Sequence, residues 1–211
     1  MNRIDEQALL LNLSRLQAIA QSGKAYSKDV FDQERYEELT AVTESLIAQL
    51  TPVPEKQLAV FMTADEGYAT PKVDIRAAVF NEKNQLLLVK EKREGCWALP
   101  GGWGDVGYSP FEVAKKETLE EAGVNIIPQK LIALRDMAKH DYPYRLTYVY
   151  KLFIYCRWQS GQPVSGVETS DARFFDIDEI QSLELSLPRN SLADLMMAYA
   201  YHQAPFPTIC D

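Results

Sequence analysis

The sequence predicts a mixed α/β domain preceded by a small helical segment. Three observations carry this: helical apolar periodicity up to about residue 52, a polar turn-rich stretch from Thr63 to Asp74, and strands interleaved with helices from about residue 70 onward. The expected division is a helical segment over residues 1–66 and a layered domain over residues 67–211.

Ile4, Ala8, Leu9, Leu13, Leu16, Ile19 and Ala20 recur at near-helical spacing, and Gly23 is expected to end that helix. A second helix is expected after Ser27 or Asp29. It carries Tyr36, Leu39, Val42, Leu46, Ile47 and Leu50 on one side, with Pro52 and Pro54 as its stop. Two amphipathic helices cannot hide both apolar faces alone, so they must pack on the rest of the chain or on a second copy. A homodimer through this segment is the expectation.

Beyond the boundary the period changes. DIRAAVF, the turn NEKN and QLLLVKEK predict a hairpin, with branched and apolar residues in both strands. A helix is expected from about Pro110 to Ala122, with Ser109 as N-cap, Pro110 in the first turn and Gly123 as stop. KLIALRDMA and LTYVYKLFIYCRW follow as strands, SGQPVSG as a turn and ARFFDI as a further strand. DIDEIQSL and PRNSLADLMMAYAYHQ predict helices.

Composition bounds the function. The chain has 46% hydrophobic and 25% charged residues, as a globular protein with a sizeable core does. Its net charge of −8 repels nucleic-acid backbones, so nucleic-acid binding is disfavoured. Residues 1–70 hold six Lys and Arg against eleven Asp and Glu, which argues against DNA contact there too. An anionic substrate would need a metal ion or a few placed cations. Cys96, Cys156 and Cys210 are odd in number and scattered, which fits neither a disulfide framework nor a zinc site. Asp5, Glu6, Asn12 and Arg15 break the N-terminal apolar run, so no signal peptide is expected, and no run reaches the roughly 20 apolar residues of a membrane span. A cytoplasmic protein is the expectation.

The chemistry centres on PGGWGDVGYSPFEVAKKETLEEAGV, Pro100 to Val124. Glu117, Glu120 and Glu121 are three and four residues apart, so a helix puts them on one face. Acids so close repel and raise each other's pKa unless a cation intervenes, and Mg²⁺ takes oxygen ligands of this kind. A solvated face is the alternative, because Glu112 with Lys116 and Lys116 with Glu120 have the spacing of ordinary surface ion pairs. The glycines at 101, 102, 104 and 107 tilt the balance, since such a turn lets backbone groups approach a metal or phosphate.

The segment resembles the box of the Nudix hydrolases: Gly102 opens it and KETLEEAGV closes it with the family's spacing. The resemblance implies an α/β/α sandwich with a mixed sheet, covering about residues 70–205. It also implies hydrolysis of a nucleoside diphosphate linked to another group. Glu117 and Glu121 would be the main ligands of Mg²⁺ (or Mn²⁺), with Glu120 as a further ligand and the Gly101 carbonyl completing the shell. Glu120 or Glu168 would be the general base, Glu168 lying in the loop where this family often supplies one. Lys116 stands where the family has arginine, keeping the charge without the bidentate fork. Tyr108 replaces the early glutamate and cannot be an anionic ligand near neutral pH; Asp105 is a nearby substitute.

The two-helix segment, GYATPKVDIRAAVF and GGWGDVGYSP further resemble the Nudix branch of bacterial CDP-choline pyrophosphatase and ADP-ribose pyrophosphatase-like enzymes. In that branch a tyrosine is usual at the Tyr108 position. The resemblance implies a dimer and a small nucleotide substrate such as CDP-choline or ADP-ribose. Other residues have two readings each. Arg76, in an apolar strand, needs either a structural carboxylate or a substrate phosphate. Trp103 and Tyr108 could stack on a base or pack in the core, and Trp97 is assigned to the core. His140, with Arg135, Lys139 and Arg145 nearby, could line the substrate mouth or lie exposed. Two competing functions are a nucleotide-binding sensor without turnover and processing of an RNA end.

Overall fold

The computed structural model describes residues 6–51 and 67–211. These residues divide into two compact units, one of residues up to Pro71 with Tyr144–Tyr148, the other of Lys72–Pro143 with Val149–Asp211. Ile4 of the first predicted helix and Pro52 and Pro54 of its expected stop lie outside the described residues.

The first unit is a helical hairpin of α1 (Glu6–Tyr26) and α2 (Val30–Leu50). Asp29 caps α2, accepting through Oδ1 from the N–H groups of Phe31 and Asp32 at 3.0 and 3.1 Å. Gly23 does not end α1, which runs three residues further. A Cβ there would lie 2.4 Å from the Tyr36 ring, so the glycine serves the close approach of the two helices. Leu13 and Ile47 form the buried centre, packed by Leu9, Ala48 and Leu146. Leu146 belongs to a segment expected to open a strand. Instead Tyr144–Tyr148 sits on this unit, where the Tyr144 hydroxyl lies 2.6 Å from Ser14 Oγ. Leu16, Ile19, Val42, Leu46 and Leu50 stay exposed, so the hairpin hides only part of its apolar surface. No described helix is long and apolar enough to cross a membrane.

The second unit is a mixed sheet between helices. Its strands are β1 (Lys72–Phe80), β2 (Leu86–Glu91), β3 (Trp97–Ala98), β4 (Gly101–Trp103), β5 (Asn125–Asp136), β6 (Val149–Ser160), β7 (Thr169–Phe175) and β8 (Ile209–Cys210). The main path runs β3-β2-β1-β6-β5-β8, with β4 on β1 and β7 on β2. β1 and β6 are parallel from Lys72↔Val149 to Phe80↔Arg157. β4 lies antiparallel to β1, with Asp74 opposite Trp103 and Arg76 opposite Gly101. β1 starts three residues inside the expected boundary stretch, because Lys72–Asp74 already pair with β6 and β4.

Alternation along β1 separates two cores. Ile75, Ala77 and Val79 pack with Val113, Ala114 and Ala122 of α3 (Pro110–Ala122). Ala78 and Phe80 pack with Leu195, Ala198 and Tyr199 of α5 (Leu192–Gln203). The predicted DIDEIQSL helix shrinks to one turn, α4 (Ile177–Ile180). α5 starts after Ser191, whose capping box with Asp194 leaves Pro188–Asn190 outside the helix. α3 has the predicted ends: Ser109 caps it in a box with Glu112, and Gly123 closes it in the left-handed region.

Candidate active site

The site is built from β4, the turn before it and the inner face of α3. The Pro100 carbonyl accepts from Ala77 N–H at 2.9 Å, which lays the turn against β1. Gly101 has φ +147°, and a Cβ would stand 2.0 Å from the Ile75 carbonyl oxygen, so only glycine fits. Its N–H donates to Glu121 Oε2 at 2.9 Å. The Glu117 carboxylate lies against the next residue, 3.1 Å from where a Cβ on Gly102 would be. Two of the three helix acids therefore face the glycine turn, while Glu120 is exposed.

Burial and like charge act together on these groups. Glu121 is 7% exposed, and burial raises its pKa to about 7. Glu91 and Glu117 push the same way, and the Gly101 N–H and Arg76 push back. Glu117 is also raised, first by burial, with Lys116 opposing and Glu120 adding. Glu91, on β2, is raised by burial against Arg189 and Arg76, with Glu94 and Glu168 adding. Arg189 Nε stands 2.8 Å from Glu91 Oε1, but off the hydrogen-bonding direction, so that buried oxygen makes no hydrogen bond among the described residues.

Glu168 is exposed on the loop between β6 and β7, which is fastened to the end of α3. Val164 N–H donates to the Ala122 carbonyl at 2.9 Å, and Thr169 Oγ1 donates to the Glu121 carbonyl at 2.6 Å. This brings Glu168 close enough to act on Glu91. The pattern reading missed Glu91, because it ends β2 within the charged stretch Lys90–Glu94, after the apolar run, and so looks like an exposed strand end.

Several expected residues are held elsewhere or otherwise. Lys116 donates to Asp105 at 3.1 Å, lies 3.6 Å from Glu117 and covers the Tyr108 ring at 5.8 Å. Glu112 instead serves the cap, so the surface ion pair with Lys116 is not formed, and Asp105 is engaged by a cation. Trp103 and Tyr108 are 47% and 52% exposed, whereas Trp97 is buried against Phe175. Arg76 is buried with a structural carboxylate: its Nη2 donates to Asp74 at 2.7 Å and its Nη1 to the Leu99 carbonyl at 3.2 Å. Burial alone would raise Asp74, but Arg76 and Lys151 outweigh it and hold its pKa below the ordinary carboxylate range. His140 lies 2.7 Å from Asp211, and Arg135 donates to buried Asp194 at 2.5 Å, so these two of the four residues expected near the substrate mouth face a carboxylate.

Among the described residues, no three His, Cys, Asp or Glu side chains are gathered closely enough to close a metal site. The donor chemistry nonetheless fits a hard divalent cation. Glu117, Glu121 and Glu91 are oxygen donors, Glu121 is raised in part by the charges of the other two, and Glu91 Oε1 has no hydrogen bond among the described residues.

Residues 70–195 match the model of the NUDIX domain. The chain belongs to the Nudix family of pyrophosphohydrolases. Residues 7–61 of this Nudix chain match a UDP-X-like, N-terminal oligomerisation domain. A Bacillus subtilis protein described as a putative ADP-ribose pyrophosphatase is 41% identical over 191 residues, covering 90% of each chain. The crystal structure of a UDP-X diphosphatase superposes with a TM-score of 0.62 at 31% identity, covering 97% of this chain and 99% of that one. An ADP-ribose pyrophosphatase from Streptococcus suis superposes with a TM-score of 0.60 at 36% identity, covering 67% of this chain and all (100%) of that one.

Proposed function

We propose that this Nudix enzyme hydrolyses a nucleoside diphosphate linked to a second group, X, in a reaction that depends on Mg²⁺ or Mn²⁺. The products are a nucleoside monophosphate and phosphorylated X. The observation that carries this is the buried Glu121 carboxylate, which is bonded to the Gly101 turn and repelled by the charges of Glu117 and Glu91. The relatives named for ADP-ribose and UDP-X favour those two substrates as the first to try, ahead of CDP-choline.

Glu117, Glu121, Glu120 and the Gly101 carbonyl would hold the cation. When bound, such an ion neutralises diphosphate oxygens and acidifies water. The chain's own residues supply the rest. Gly101 N–H fixes the Glu121 carboxylate so that it points at the turn. Lys116 offers positive charge at the mouth, and exposed Trp103 and Tyr108 offer stacking surface for a base. Glu120 or Glu168 takes the proton of the attacking water as its oxygen bonds to phosphorus and the bridging P–O bond breaks. The freed bridging oxygen leaves on the second phosphate.

The first 66 residues are proposed as the homodimerisation domain of the catalytic unit. Their exposed Leu16, Ile19, Val42 and Leu46 support it. Leu46→Glu should lower the mass measured by light scattering, and an unchanged mass would count against it. The activity is tested by incubating the protein with Mg²⁺ and ADP-ribose, UDP-glucose or CDP-choline and measuring monophosphate release. Metal-dependent release from at least one is expected; none from any would overturn the reading.

A further inference from the structure

The dipeptide Arg189–Asn190, far from the box in sequence, touches the frame of the acid site at three places. Asn190 is fully buried, and its Oδ1 accepts from the backbone N–H of Leu99 at 2.8 Å. Its own Nδ2 makes no hydrogen bond among the described residues, so the side chain acts there through its acceptor. Leu99 leads into the site turn: the Pro100 carbonyl is tied to Ala77, and Gly101 N–H holds Glu121.

A second strand of contacts runs behind the turn. The Arg189 carbonyl accepts from Lys151 Nζ at 2.8 Å. Lys151 donates to Asp74, Asp74 accepts from Arg76, and Arg76 donates back to the Leu99 carbonyl. The hydrogen bonds thus close a ring through Leu99. The third contact is the Arg189 side chain, whose Nε stands 2.8 Å from Glu91 Oε1 and whose Nη1 donates to Glu94 at 3.0 Å. Glu94 also accepts from Ser186 Oγ at 2.6 Å, which fixes the segment from its other end.

We propose that Asn190 and Arg189 are positioning residues for the acid site, Asn190 setting the Leu99–Gly101 turn and with it Glu121, Arg189 setting Glu91. This rests on the reading of Gly101, Glu117 and Glu121 as the metal site. The physical reason is that Leu99 N–H is buried. Without the Asn190 oxygen it would be left unanswered in the interior, and a shift of the turn is the direct way to relieve that. Such a shift carries the Gly101 amide and carbonyl with it, and a misplacement of about 1 Å can cost roughly a hundredfold in rate.

The test uses the full chain with Asn190→Ala, Asn190→Asp, Arg189→Ala and Glu121→Gln. Mn²⁺ binding is read by electron paramagnetic resonance, and kcat and KM are measured on ADP-ribose with Mg²⁺. Asn190→Ala should weaken Mn²⁺ binding and lower kcat by about tenfold or more each, as partners of metal ligands do. Asn190→Asp keeps the acceptor oxygen and should restore both to within about threefold of wild type. Arg189→Ala is a change at a partly exposed side chain. It should fold and weaken Mn²⁺ binding about threefold to tenfold.

Wild-type Mn²⁺ affinity and kcat in folded Asn190→Ala would overturn the proposal, as would equal losses in the Ala and Asp variants. Should Asn190→Ala fail to fold, unchanged Mn²⁺ affinity in Arg189→Ala overturns it instead. Weakened binding in Glu121→Gln with none in the other variants would leave the metal site standing and remove the frame. No Mn²⁺ binding by wild type would remove the site itself.

Discussion

Two buried charged groups flank β1 and are built on opposite plans. On the α5 side, one carboxylate, Asp74, sits between two cations, Arg76 and Lys151, and its pKa is held down. On the α3 side, Glu121 shares its surroundings with Glu117 and Glu91, and its pKa is pushed up to about 7. Burial acts in the same direction on both carboxylates, so the difference lies in the neighbours. A compensated group answers its own charge and needs nothing further. An uncompensated one is maintained at a cost to folding, and such sites are where function concentrates.

The sharpest way to break this contrast is to neutralise one member on each side. Glu121→Gln should lower turnover by about a hundredfold or more, since even partners of metal ligands cost up to that much. It should leave the fold intact. Residual activity near wild type would place Glu121 on the compensated side. Asp74→Asn should do the reverse, destabilising the protein by about 3–5 kcal/mol in chemical denaturation, because two buried cations lose their carboxylate. A loss under about 1 kcal/mol would mean that the network is solvated after all.

The two sides also predict opposite responses to pH in metal-free protein. Glu121 binds its proton more tightly folded than unfolded. Its contribution to stability is therefore greatest below its unfolded pKa of about 4.5 and is lost as pH rises to about 7. The loss is on the order of 3 kcal/mol. Asp74, with a lowered folded pKa, contributes stability above about 3.9 that is lost as pH falls through its folded value. Denaturation across pH 4.5–7.5 should show a downward slope in wild type that Glu121→Gln flattens; an unchanged slope would exclude Glu121 as its source.

The smallest effect is expected at Tyr108. It is half exposed and covered by Lys116, so Tyr108→Glu should change turnover by less than about tenfold, the scale of one peripheral charge–site coupling. A large gain in an initial-rate assay would show that the tyrosine had cost the site a ligand.

What the chain reveals by itself follows the same division. α3 and its caps were legible because Ser109, Pro110, Glu112 and Gly123 act within a few residues of one another. The row Glu117, Glu120 and Glu121 was legible for the same reason. Gly23 reads locally as a stop, whereas its reason, the Tyr36 ring across the hairpin, lies on another helix. Leu146 reads as strand by its neighbours, yet it packs on Leu13 and Ile47. Lys151, the second cation on Asp74, and Arg189, the arginine at Glu91, come from distant segments, so local pattern shows a charge but not its full set of partners.

The central claim is that the crowded acids on α3 take a divalent cation. Titrating Mn²⁺ into the full chain and following the free ion by electron paramagnetic resonance tests it most directly. Saturable binding in wild type, weakened about tenfold or more in Glu121→Gln, is the predicted result. No saturable binding, or equal binding in the two proteins, would contradict it.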